Sequence, residues 1–207
     1  MFLIFLLMFI FLGIVLKGVI SARRKYDNAQ KHRNAIHNSI LSATFSNKPY
    51  IKFGICMVAC LLFFLFFLCC TLEKNKIISD LDISESMFFL LTFVLFMLMI
   101  YFTIMTLYWI KIYTAVTGQM FVLTQERIYG IGCVTEGLKY NHYIFDLSLS
   151  SITDIIILNS EIILGTKLNT FRIVTKEKKY MFLAPNDIYE IKNLIEKKQK
   201  ECESSTM

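Results

Sequence analysis

Few residues in this sequence are of a type that performs chemistry, and their spacing limits them further. Cys56 and Cys60 stand four apart in a hydrophobic run and share one face of a helix; Cys69 and Cys70 close the same run. Two thiols with no histidine or carboxylate beside them make a poor metal site, and small polarizable core residues are the expected role. Cys133 and Cys202 fall far along the chain, and the six cysteines suggest no disulfide framework. His32 and His37 are five apart, off a common helical face, and read as solvated. His142 lies in YNHY, a loop flanked by tyrosines, with no nucleophile or second base in sight. There is no paired His-Glu-His motif and no nucleophile elbow. Gly130, Gly132 and Gly137 are spaced wrongly for a dinucleotide loop, and no helix follows them. The expectation is a non-enzymatic protein with no catalytic, cofactor-binding or metal-ligating residue.

The elements that position these residues begin with three uncharged runs. Residues 1–16, 53–72 and 86–110 contain no charged side chain, and the chain of 207 residues is 56% hydrophobic. Soluble domains carry about 45–50% apolar residues, and a bilayer core takes roughly 20 apolar residues as helix. Three transmembrane helices are predicted, at about 2–20, 53–72 and 87–110. The first run has no basic residue before it, and Lys17 follows it, which is the polarity of a permanent anchor and not of a cleaved signal peptide. Neither the second nor the third span holds Asp, Glu, Lys, Arg or His, and the absence of such residues argues against a transporter working alone.

Charge sets the expected orientation. Residues 17–52 carry eight Lys and Arg against the single acid Asp27, whereas residues 73–86 carry Lys74 and Lys76 against Glu73, Asp80, Asp82 and Glu85. Short loops rich in Lys and Arg stay cytoplasmic. The reading is a multi-pass cell-membrane protein with its N-terminus outside and everything after Lys111 in the cytoplasm. The net charge of +6 is met by the first loop alone, so it calls for no nucleic acid. That loop faces an anionic leaflet, and Arg23, Arg24, Lys25, Lys31 and Arg33 are candidate contacts with membrane lipid.

The chain divides as transmembrane helix 1 (1–20), a basic cytoplasmic linker (21–50), a transmembrane hairpin (51–117), a β-rich domain (118–200) and a polar tail (201–207). In the linker, Ala22, Tyr26, Ala29, Ile36, Ile40 and Leu41 fall near helical spacing, which fits either an extension of the first helix or an amphipathic segment on the membrane. From about residue 119 the period shortens. Strands are predicted at 120–124, 127–133, 143–147, 151–158, 161–164, 168–175 and 179–183. Pro185 then breaks the chain, Asn186 is placed to cap a helix, and Asp187 and Glu190 fall in its first turn. Ile188, Ile191, Leu194 and Ile195 form its apolar stripe, and Lys197, Lys198 and Lys200 are expected at its end. The fold class is an α+β membrane protein: three transmembrane helices, then a small β-barrel of about seven strands capped by a C-terminal helix.

The order LTQERI (123–128), a glycine closing the second strand, LSLSSITDI (147–155), GTKLNTFRIVT (165–175) and FLAPNDIYEIKNLI (182–195) resembles the bacterial pleckstrin-homology-like (PH-like) domains of small membrane proteins. The likeness covers about Gln119 to Lys198. In that family a transmembrane hairpin often precedes the domain directly, as the second and third spans do here; the additional first span and basic loop depart from it. The resemblance implies a membrane-anchored interaction module that binds a protein partner, a copy of itself or the inner-leaflet surface. The alternative is a small accessory or immunity-type subunit whose transmembrane helices make the key contacts. Lipid-binding PH domains gather Lys and Arg in the first strand-turn-strand. Gln125-Glu126-Arg127 does not, which argues against phosphoinositide headgroup binding. The densest basic patch of the domain is Lys176, Lys178 and Lys179, a second candidate contact with lipid or a partner.

Overall fold

The computed structural model describes residues 2–82, 84–136, 139–163, 166–183 and 185–204. The chain forms two compact units, one of residues 1–17 and 48–110, the other of residues 18–47 and 111–207.

The first unit is helical. It contains the start of α1 (Phe2–Asn34), all of α2 (Lys48–Leu72) and α3 (Lys74–Leu81), and α4 (Glu85–Thr117) as far as Ile110. α1, α2 and α4 are each long and apolar enough to cross a membrane. Pro49 lies in the first turn of α2, where a missing N–H costs no helical bond. The expected outer loop is largely helical: α3 occupies Lys74–Leu81 and ends at Asp82, whose φ of 48° turns the chain. Ile77 and Ile78 of α3 pack on Phe67, Cys70, Phe88 and Leu95 of the hairpin. Deeper in the hairpin, Phe63 stacks on Phe102 at 5.3 Å and the Cys60 thiol meets the Thr103 hydroxyl at 3.3 Å. Leu65, Phe66, Phe89 and Phe93 are exposed, a surface that suits hydrocarbon rather than water. The Lys52 ammonium lies 4.6 Å from the centre of the Trp109 ring, a cation–π contact.

The second unit is built of two antiparallel sheets. The first has the order β1 (Leu41–Ser42), β2 (Met120–Leu123), β3 (Arg127–Glu136) and β4 (Lys139–Ser148). A single 3-10 turn at Leu149–Ser151 leads to the second sheet, β5 (Ile152–Ile163), β6 (Thr166–Thr175) and β7 (Lys179–Leu183). α5 (Ile188–Ser204) closes the chain. Phe121, Leu123, Ile128, Phe145 and Leu147 of the first sheet meet Ile152, Ile155, Phe171, Ile173 and Phe182 of the second. Ile188, Ile191 and Ile195 enter the same core from α5, with Leu194 at its margin. Phe121 is edge-on to both Phe171 (6.0 Å) and Phe182 (5.4 Å), the geometry that ring quadrupoles favour.

Several boundaries differ from the sequence reading. The described residues hold seven strands, but not the seven expected. The segments 151–158 and 161–164 join into β5, because Asn159-Ser160 is absorbed as a pairing irregularity between Leu158 and Glu161 and does not end the strand. The extra strand is β1, from the stretch assigned to the linker. β3 and β4 extend toward each other well past Cys133 and before Tyr143, since cross-strand pairing carries polar residues that lack strand propensity of their own. Leu164 and Gly165, expected to end a strand, and Gly137 lie outside the described residues. Asn186 does not cap α5. Its side chain donates to Thr44 Oγ1 at 3.0 Å, and Asp187 takes the cap position at φ 54°, its carbonyl accepting the Ile191 N–H at 3.1 Å. α5 runs on to Ser204, so Lys197, Lys198 and Lys200 stop short of its last turn.

Candidate functional site

The basic residues picked out by sequence are positioned by the way residues 18–47 fold. α1 continues to Asn34 as one helix, so the first of the two readings of this stretch describes the structure. Ala22 and Ala29 are buried, and Ala29 packs with Ile36 on Met120, Val122 and Ile131, the outer face of the first sheet. Tyr26 is 42% exposed, and Ile40 and Leu41 lie beyond the helix. The small side chains of Ala22 and Ala29 suit a helix seated closely on a sheet.

Beyond the helix the chain becomes an edge strand. Leu41 and Ser42 pair with Leu123 and Val122, and the ladder is extended by Ile40 N–H to the Leu123 carbonyl (2.7 Å) and Ala43 N–H to the Phe121 carbonyl (3.0 Å). Phe45 then bridges to Pro185, just past β7, and stacks on Phe182. The segment 40–45 thus satisfies the β2 edge and links it to the chain leaving β7. Gln119 makes the same connection by side chain: its amide donates to the Leu183 carbonyl (2.9 Å) and accepts the Leu183 N–H (2.7 Å). Buried backbone groups that a ladder would have paired are met by a side-chain amide.

Glycines admit the aromatic rings of β4. Gly130 pairs opposite Phe145 and Gly132 opposite Tyr143, and a Cβ at either glycine would fall 2.3 Å or 2.5 Å from the facing ring or its hydroxyl. Close packing, not a bulge, is therefore their role, since the β3–β4 register is unbroken. The Tyr143 hydroxyl accepts the Met181 N–H at 2.7 Å, and burial pushes its pKa up to about 12.

His142 occupies a specific seat. Its Nδ1 faces Lys25 Nζ at 3.2 Å and its Nε2 faces the Ala115 carbonyl at 2.9 Å. The ring lies over Gly118, where a Cβ would approach Nε2 to 2.6 Å. Cys133 pairs opposite His142; it is fully buried, and burial pushes its thiol up to about 12, which leaves no thiolate for nucleophilic work. Burial likewise holds His142 below the usual histidine range.

Three of the remaining basic residues of the helix, Arg23, Arg24 and Lys31, are exposed. Arg24 and Lys31 stand about half a turn around the helix from Ala22 and Ala29. Arg23 pairs with Asp27 at 3.3 Å; Arg33 is half-buried. Lys25 is the one member turned toward the sheet. Lys176, Lys178 and Lys179 are all exposed at the β6–β7 hairpin. That hairpin and the LTQERI hairpin close identically: Thr175 and Thr124 exchange backbone and hydroxyl hydrogen bonds with Lys178 and Arg127. Arg127, the cation of the first turn, is held by Asp146 at 2.7 Å.

Gln119, the Lys25–His142 contact and the Thr44–Asn186 pair were not singled out from sequence. Each joins residues remote in the chain, and no local period marks such a pairing. An open cleft of about 540 Å³ lies where β6 meets the start of α5, lined by Asn169, Pro185, Asn186, Asp187, Ile188 and Tyr189. Among the described residues no group of three His, Cys, Asp or Glu is gathered as a metal site would require. No protein-family model matches this chain, and no curated protein is significantly similar to it.

Proposed function

We propose that this chain is a non-enzymatic, membrane-anchored PH-like interaction module. Three transmembrane helices carry the barrel on the cytoplasmic side, with the N-terminus outside, and the basic face of the α1 extension meets the anionic inner leaflet. The observation that carries this reading is the direction of the charges. Packing of Ala29 on the sheet, with Ala22 buried on the same side of the helix, leaves Arg24 and Lys31 on the opposite, exposed side of a helix that begins as an apolar span. Each such cation near an anionic surface is worth roughly 1 kcal/mol. The sidedness rests on the excess of Lys and Arg in residues 17–52 over residues 73–86. A two-sheet core closed by the Ile188, Ile191 and Ile195 stripe is what a PH-like barrel requires. The pairing of Arg127 with Asp146 favours diffuse attraction to a charged surface over a headgroup pocket in the first turn.

The test is hydrogen exchange on the full-length protein in nanodiscs of neutral or anionic lipid. Amides of residues 23–34 should exchange more slowly on anionic discs. The difference should vanish as salt shortens the Debye length from about 10 Å at 0.1 M to about 3 Å at 1 M. It should also vanish when Arg23, Arg24, Lys31 and Arg33 are all changed to Gln. Equal exchange on both lipids at low salt would reject the reading.

A further inference from the structure

We infer that His142 is a proton-operated latch: neutral, it ties the α1 extension to the first sheet through Lys25, and protonated, it lets that helix lift. The tautomer follows from the partners. A backbone carbonyl only accepts, so the Nε2 that faces Ala115 carries the proton, and Nδ1 presents its lone pair to Lys25. The Lys25 ammonium donates to it. Adding a proton to Nδ1 removes that acceptor and sets two cations 3.2 Å apart.

The Ala115 carbonyl favours the charged ring, but burial outweighs it. The groups facing the ring are Lys25 from α1, the Ala115 carbonyl and Gly118 from the end of α4, and Cys133 from β3. None is an anion, because the buried Cys133 stays a thiol. Nor can the ring retreat over Gly118, which it already touches closely. The helix is also held by Ala29, which packs with Ile36 on Met120, Val122 and Ile131. Burial, and more weakly the neighbouring ammonium, disfavour the charged ring in the seated state and together outweigh the opposing hydrogen bond to the Ala115 carbonyl. The seated state therefore binds fewer protons than the lifted one. The latch is closed above the free histidine value near 6.5 and weakens as pH falls below it. This holds whichever leaflet the domain faces and whatever the basic residues bind.

Full-length protein in neutral nanodiscs separates the outcomes. After correction for intrinsic rates, exchange of amides 20–34 should rise by about tenfold from pH 7.5 to 5.5. That is the ratio expected for one proton gained by a group of free pKa near 6.5. His142→Gln should abolish the rise. By NMR of ring-labelled histidine, His142 should titrate below the free histidine value near 6.5, and Lys25→Met should move it up toward that value. A His142 midpoint at or above the free value, no change on Lys25→Met, or pH-independent exchange of residues 20–34 would each overturn the latch.

Discussion

Phe145 and Tyr143 lie across β3 because glycines stand opposite them. A methyl added at Gly130 would meet Phe145 Cζ at 2.3 Å and the Met120 carbonyl at 3.0 Å. The ring has little room to yield, with Tyr180 at 4.8 Å and Phe182 at 5.5 Å from its centre. Gly130→Ala is expected to cost about 1–3 kcal/mol of stability by denaturant unfolding, as overpacked cores do. Gly54→Ala, inside α2 where a Cβ meets nothing within 4 Å, should by contrast not destabilise. Gln119→Leu should cost a similar ~1–3 kcal/mol, because it strands the N–H and carbonyl of buried Leu183. In sequence, Gly130 and Gly132 fit close packing or a bulge equally, and the unbroken β3–β4 register decides for close packing. Which ring they receive was not legible, since that depends on cross-strand register. Gln119 carried no signal, because one glutamine after an apolar helix looks like any polar boundary residue.

At the scale of elements, the α5 stripe was readable because its period is local, and Ile191 and Ile195 are buried in the core as that period requires. Ile191→Asp should cost more than ~3 kcal/mol through an unpaired buried carboxylate, and the domain should then be cut readily by protease. Unchanged protease resistance would mean α5 is not docked. The cap of α5 was misread for a non-local reason: Asn186 pairs with Thr44, a partner invisible in the sequence around it. β1 escaped notice likewise, since two residues have no period and the pairing with β2 alone makes them a strand. Ala43→Pro removes the N–H that reaches the Phe121 carbonyl and should free segment 40–45. Faster hydrogen exchange in both that segment and β2 would mark the loss; unchanged β2 protection would mean the edge strand is dispensable.

For the molecule as a whole, apolar runs and charge asymmetry supplied the three long helices and the proposed sidedness, while the helix seat of residues 18–34 needed the fold. The proposal requires the basic face of α1 and the two-sheet domain to lie on the inner side, because on the other leaflet the same charges would have no anionic surface to meet. Lys76 on α3 and Lys178 on the β6–β7 hairpin are both exposed and sit in different units of the chain. The most direct measurement uses whole cells expressing a chain whose six native cysteines are replaced, with either Lys76→Cys or Lys178→Cys, exposed to a membrane-impermeant thiol reagent. Lys76→Cys should be labelled on intact cells and Lys178→Cys only after permeabilisation. Labelling of Lys178→Cys on intact cells, with Lys76→Cys protected until the membrane is opened, would contradict the account.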